Sequence, residues 1–170
     1  MLTDLQQLLN SIGQYVVLAY IAIWLFYIFT FRRLDSSVIT LTCVMIFSMI
    51  MNELTPYLYD FAVSHKGVLS KAVWHLSFVA FNLIAMAVIR GTHQKFKLHT
   101  SKLTLLAIMF FAIQSGIQLV RLLEKVLFET NVLSKLYTLG ITSVNIMFVF
   151  LGAICIINAF KERKTIAKDI

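Results

Sequence analysis

Five long stretches of this 170-residue chain contain no charged side chain, and short charged segments separate them. The stretches cover residues 5–31, 36–52, 72–89, 103–120 and 136–160. A helix rises about 1.5 Å per residue and the hydrocarbon core is about 30 Å thick, so roughly 17–25 apolar residues cross it. The pattern predicts an all-α, polytopic membrane helix bundle forming one transmembrane domain. Its five spans are expected at about 13–31, 36–56, 72–89, 103–121 and 136–160.

The second stretch is the weakest of the five, because Asn52, Glu53 and Pro56 interrupt its end. The alternative is therefore four spans plus one re-entrant or interfacial segment. At the start of the chain, apolar residues recur at helical spacing within residues 1–12. This predicts an interfacial helix that lies on the membrane before the first span. The segment has no Lys or Arg and is not typical of a cleaved signal peptide.

The 15 Lys and Arg residues divide unequally between the two sides of such a bundle. Ten fall on one side: Arg32, Arg33, Arg90, Lys95, Lys97, Lys102, Lys161, Arg163, Lys164 and Lys168. Positively charged loops stay in the cytoplasm, so the N-terminus is predicted outside and the basic tail 161–170 inside. These cations are expected to contact anionic lipid headgroups, most simply in a bacterial inner (plasma) membrane. Their position at span ends argues against nucleic acid as the reason for the net charge of +7.

Composition limits the chemistry that the chain can perform. Hydrophobic residues make up 59% and charged residues 14%, whereas a soluble domain is about a quarter charged. The gaps between spans leave no room for a folded soluble domain. No nucleotide-binding glycine loop, zinc-ligand spacing or nucleophile elbow occurs, so we expect a non-enzyme without a metal or cofactor. Cys43 and Cys155 lie within spans and are interpreted as small packing residues.

Polar residues inside spans are costly and therefore mark candidate sites. Sorted by depth along each predicted span, they fall in two layers. Near one level at the outer surface lie the candidates for an outward-facing polar vestibule: Glu53, His75, Gln118 and Arg121. Near the midplane lies a predicted amide layer: Asn82, Gln114 and Asn145. Glu53 and His75 would be the titratable groups of the vestibule, with Arg121 as counter-charge and Glu124 available to pair with Arg121.

Three further expectations follow from the same depths. The inner half of the bundle is predicted to be nearly devoid of polar side chains, with His65, His93 and His99 in gaps. The amides are alternatively interpreted as interhelical hydrogen bonds without a ligand, each worth about 0.6–2 kcal/mol. Glu53 and Arg121 are alternatively interpreted as shallow charges that reach the headgroups.

The function expected from these features is that of a non-enzymatic integral membrane subunit, an anchor or sensor for a partner protein. A bacterial defence or toxin-immunity setting would suit such a chain. An oligomeric channel or pore with the polar vestibule is the alternative, supported by Gln114, Gln118 and Arg121. A small-solute or proton-coupled carrier is the second alternative. A homo-oligomer, or a membrane or cytoplasmic partner, is expected.

Overall fold

A computed structural model describes residues 4–65 and 67–166, with side chains for residues 15–65 and 67–165. The described chain is all-helical. Its helices are α1 (Asp4–Phe31), α2 (Ser36–Ser64), α3 (Val68–Lys95), α4 (Lys102–Leu123) and α5 (Ser134–Ile166). Between α4 and α5, Glu124–Phe128 forms one turn of π-helix. Asp35 caps α2 through the amide of Val38, and Ser101 caps α4 through that of Thr104.

Four of the described helices, α2 to α5, are long and apolar enough to cross a membrane. The chain is therefore a multi-pass integral membrane protein. The apolar part of α1 within the described side chains, Tyr15–Phe31, is shorter. Helix α2, predicted to be the weakest span, continues through Pro56 to Ser64 and is one of these four. The hydroxyl of Thr55 donates to the Met51 carbonyl at 2.7 Å within this helix, whereas the carbonyl that Pro56 leaves without an amide donor is that of Asn52.

The predicted interfacial helix falls partly outside the described residues. The backbone of residues 4–12 continues directly into the rest of α1, while residues 1–3 and the side chains up to residue 14 are not described. Its position on the membrane surface stays a prediction. Lys66 and residues 167–170 of the basic tail are likewise outside the described part of the chain.

The helices pack as a closed ring. Each contacts the next in chain order, α5 returns to contact α1, and α2 also reaches across to α4 and α5. We call one end the His93 end; it carries residues 32–35 and 96–101 and the end of α5. The opposite end, the Glu124 end, carries residues 65, 67 and 129–133. Arg33 of the first connection bonds Glu162 of α5 at 2.7 Å, which ties the His93 end together.

The apolar core fills the ring towards the His93 end. In α2 the buried residues are confined to Val38–Met45. Cys43 and Cys155 are both buried and free. Helices α1 and α5 approach closely at Gly152, where an added methyl group would lie 2.8 Å from Ile23. The Trp24 indole donates to the Thr42 hydroxyl at 2.8 Å, joining α1 to α2.

The His93 end belongs to the half of the bundle that is predicted to be inner and nearly devoid of polar side chains. That prediction is wrong for this half, and so is the placement of His93 in a gap between helices. His93 lies within α3 and is 1% exposed, and Thr40 and Thr104 are fully buried. Ser36 bonds His93 at 2.9 Å and Thr104 at 2.7 Å, and Thr40 bonds Thr104 at 2.8 Å. Ser101 adds a bond to Thr104 at 2.9 Å. Short hydroxyl side chains can satisfy one another inside the bundle, so burying them is inexpensive.

Candidate functional site

Polar residues of α3 lie on the helix face that points into the ring. Six of its buried positions recur every three or four residues: His75, Val79, Asn82, Ala85, Ile89 and His93. That spacing places them in one stripe along the helix. The stripe therefore presents an imidazole near the Glu124 end, an amide in the middle and a second imidazole at the His93 end.

Helix α4 presents a matching stripe. Thr104, Gln114, Gln118 and Arg121 are all buried and also share one face. The Nε2 group of Gln114 donates to Oδ1 of Asn145 on α5 at 2.6 Å. Two members of the predicted amide layer are thus in direct contact.

At the Glu124 end, His75 and Gln118 of the two stripes meet Tyr137 of α5. Nδ1 of His75 donates to Oε1 of Gln118 at 2.7 Å, and the Tyr137 hydroxyl donates to the same oxygen at 3.2 Å. The rings of His75 and Tyr137 stand edge to face with centroids 5.7 Å apart. The imidazole and the amide are therefore held by each other rather than by solvent.

The ion pair predicted between Arg121 and Glu124 forms. Both side chains are buried, and Arg121 also donates to Asn131. Glu124 further accepts from the amide of Leu133 at 2.9 Å and from the Thr130 hydroxyl at 3.1 Å. This network fastens the π-helix to the turn before α5. A buried charge is tolerated when it is paired and hydrogen-bonded in this way.

Glu53 does not join this cluster. It is exposed on α2, it does not line the cavity described below, and no described residue forms an ion pair with it. The counter-charge of Arg121 is Glu124 instead. The vestibule candidates are therefore divided: His75, Gln118 and Arg121 lie together, and Glu53 lies apart.

A cavity of about 290 Å³ lies in the middle of the ring and is lined by all five helices. Its amide groups are those of Asn52, Asn82, Gln114, Gln118 and Asn145. Its hydroxyl groups are those of Tyr20, Ser48, Thr55, Tyr137, Thr138 and Thr142. Its phenyl rings are those of Phe47, Phe78, Phe81, Phe111 and Phe148. The predicted amide layer is the middle of this cavity.

Several polar groups in the cavity have no hydrogen-bond partner among the described residues. Asn82 is 5% exposed and no described residue hydrogen-bonds its amide. No described side-chain N or O atom is both inaccessible and unpaired, so the Asn82 amide atoms are reached from the cavity. No described residue hydrogen-bonds the side chains of Ser48, Asn52 and Thr142 either, but Asn52 is exposed and the other two are half-buried. Buried polar groups are normally paired, so an unpaired amide facing a cavity indicates a place for water or a ligand.

The predicted basic face is gathered at the His93 end, although not all of it is available. Arg32, Arg90, Lys95, Lys97, Lys102, Lys161, Arg163 and Lys164 are exposed. Arg33 is exposed as well, but its guanidinium is already paired with Asp35 at 2.6 Å and with Glu162 at 2.7 Å.

No protein-family model, curated protein or solved structure matches this chain.

Proposed function

We propose that the chain is a non-enzymatic sensor subunit of the bacterial inner membrane, which binds a small molecule in its central cavity and reports to a partner protein. The observation that carries the proposal is the cavity itself, where the buried Asn82 amide has no described partner. A chain that served only as an anchor would gain nothing from a cavity lined by polar groups, since a packed apolar interior is more stable. A bacterial defence or toxin-immunity role would fit such a sensor.

In this proposal five helices cross the membrane, with the Glu124 end outside and the His93 end in the cytoplasm. The support is the charge asymmetry, because the exposed cations of the described chain concentrate at the His93 end. The continuous helical backbone of α1, 28 residues from Asp4 to Phe31, is long enough to span the hydrocarbon.

The geometry favours a sensor over an oligomeric pore. A pore between copies would need Gln114, Gln118 and Arg121 on the outer surface of each bundle. All three are buried inside one chain and bonded to α3, to α5 or to the π-helix and the turn after it. The groups that would line the channel are therefore already used within the subunit.

The partner is proposed to dock on the exposed cations of the cytoplasmic end. Arg33 is excluded from that surface by its ion pairs. Burial lowers its pKa, but hydrogen bonds to Tyr27 and Glu162 and the charge of Asp35 outweigh this and hold its pKa above the ordinary value. It stays charged at physiological pH and fastens the end of α5, from which Lys161, Arg163 and Lys164 project.

The test is affinity purification from native membranes, with co-purifying proteins identified by mass spectrometry. The variant Lys161→Glu/Arg163→Glu/Lys164→Glu is expected to lose the partner, because it inverts the charge of the docking surface. Lys135→Glu, an exposed charge reversal at the Glu124 end, is the control and is expected to retain it. Recovery of every native partner by the triple variant would refute docking at this face.

A further inference from the structure

We infer that the cavity binds a flat, uncharged ring that carries hydrogen-bonding groups. The inference rests on the proposed function, since it names the ligand class of the same site. It makes no use of the cytoplasmic face, so it can fail while docking of a partner stands.

The first step is the absence of charge. Among the described residues, none that line the cavity is Asp, Glu, Lys, Arg or His. The nearby charges of Arg121 and Glu124 are directed at each other, and the His75 ring is bonded to Gln118. An ion entering the cavity would lose its hydration without gaining a counter-charge, which is strongly unfavourable in a membrane interior.

The second step is the set of free donors and acceptors. Asn82 offers both an N–H donor and a C=O acceptor, and no described residue uses either. Gln114 uses its amide nitrogen on Asn145, which leaves its carbonyl oxygen and the Asn145 amide nitrogen available. A ligand with one donor and one acceptor side by side can therefore bond the Asn82 amide at two points.

The third step is shape and size. Five phenyl rings line the cavity, and Phe148 stands with its centroid 4.8 Å from that of Phe111. Aromatic rings pack best against other flat rings, face to edge or offset. At about 290 Å³ the cavity lies at the lower limit of ligand pockets, so one or two fused rings would fill it.

The fourth step is access. Helix α2 contributes no buried residue between Ile46 and Ser64, although Ser48 and Asn52 line the cavity from that part. Ile46, Met49 and Ile50 on the same stretch are 40–43% exposed and apolar. An uncharged ring partitions into hydrocarbon and would reach this wall from the bilayer, whereas an ion would not.

The test is equilibrium dialysis of three probes against the full chain in lipid nanodiscs, with empty nanodiscs to subtract partitioning. The probes are 2-quinolone, which is flat and uncharged, its 4-carboxylate, which is an anion, and the saturated octahydro-2-quinolone. All three carry the same lactam donor and acceptor. Saturable binding of 2-quinolone at one per chain is expected, at least tenfold tighter than either of the other two.

Asn82→Leu, nearly equal in size, is expected to weaken 2-quinolone binding about tenfold. Leu83→Ala, at the neighbouring lipid-facing position, is the control and is expected to bind normally. Ser48→Ala serves as a second cavity variant, with a smaller loss. Equal binding of the carboxylate or of the saturated lactam by the wild-type chain would overturn the ligand class. Saturable binding that Asn82→Leu leaves unchanged would place the ring elsewhere.

Discussion

The hydrogen bonds of Thr104 at the His93 end allow the stability effect of one substitution to be predicted. This residue is fully buried at the start of α4, and its hydroxyl contacts Ser36 at 2.7 Å and Thr40 at 2.8 Å on α2. It also contacts Ser101 at 2.9 Å. The change Thr104→Val keeps the shape of the side chain and removes all three hydrogen bonds.

The size of the effect follows from what each partner keeps. Ser36 retains His93 at 2.9 Å, and Thr40 retains the Ser36 carbonyl at 2.8 Å. Ser101 retains the Thr104 amide at 3.1 Å. No group is left wholly unpaired, so the penalty of an orphaned polar group, about 1–3 kcal/mol each, does not apply in full. The two interhelical hydrogen bonds, to Ser36 and Thr40, are worth about 0.6–1.7 kcal/mol each in a membrane. We therefore expect Thr104→Val to lower the free energy of unfolding by about 1–2 kcal/mol.

The measurement is unfolding in mixtures of dodecylmaltoside and sodium dodecyl sulfate, followed by circular dichroism. Thr100→Val is the matched control, because no described residue hydrogen-bonds that hydroxyl, and it should stay within about 0.5 kcal/mol of wild type. The double variant Thr40→Val/Thr104→Val should lose less than the sum of the single losses, since the two residues share a bond. The cooperative network would be refuted if Thr104→Val lowered the free energy of unfolding no more than Thr100→Val does. It would also be refuted if the losses at Thr40 and Thr104 simply added in the double variant.

Three further predictions use the same unfolding measurement. Glu124→Gln should lower the unfolding midpoint, because the buried Arg121 guanidinium loses its only described carboxylate partner. The control Glu129→Gln, at an exposed position, should leave the midpoint unchanged. Equal midpoints for the two variants would contradict the ion pair. Gly152→Ala should destabilise by about 1 kcal/mol or more, because its methyl group meets α1 at 2.8 Å. The control is Gly116→Ala, whose methyl group meets nothing within 4 Å, so its stability should be unchanged or higher. Equal losses of stability in the Gly152 and Gly116 variants would argue against close packing of α1 on α5. Lys97→Gly should raise the free energy of unfolding by about 0.5–1 kcal/mol, because φ at this residue is +53°, a left-handed conformation that favours glycine. A lower free energy of unfolding would contradict that backbone conformation.

The residues that carry the candidate site were largely predictable from periodicity. His75 and Asn82 are seven residues apart, and Gln114, Gln118 and Arg121 follow at helical spacing, so each set shares one helix face. Burying that face is the only way to remove several polar groups from lipid at once. The structure therefore turns both stripes inward.

His93 was missed because Arg90 marked the end of the third apolar stretch. Within the helix Arg90 is exposed at the edge of the stripe, while His93 is buried and continues the stripe of Asn82 and Ile89. The stripe, carried past the first charge, was the signal that could have found it. The cavity had no such signal, because its volume depends on how five helices are rotated and spaced, which no local pattern specifies.

Helix α2 connects the cavity to the cytoplasmic face in the proposed sensor. Its first turns are fixed at the His93 end by Ser36, while Ser48 lines the cavity twelve residues later, about 18 Å along the helix. Beyond Met45 no residue of α2 is buried, so this half is held least by packing. A ligand that draws Ser48 inward would tilt α2 as a rigid helix. The start of α2 lies three residues after Arg33, so the tilt would also move Arg33 relative to its partner Glu162. A ligand that contacts only α3 and α4 would touch neither of the helices next to that ion pair, so in the proposed sensor the contact with α2 at Ser48 is what makes the cavity able to signal.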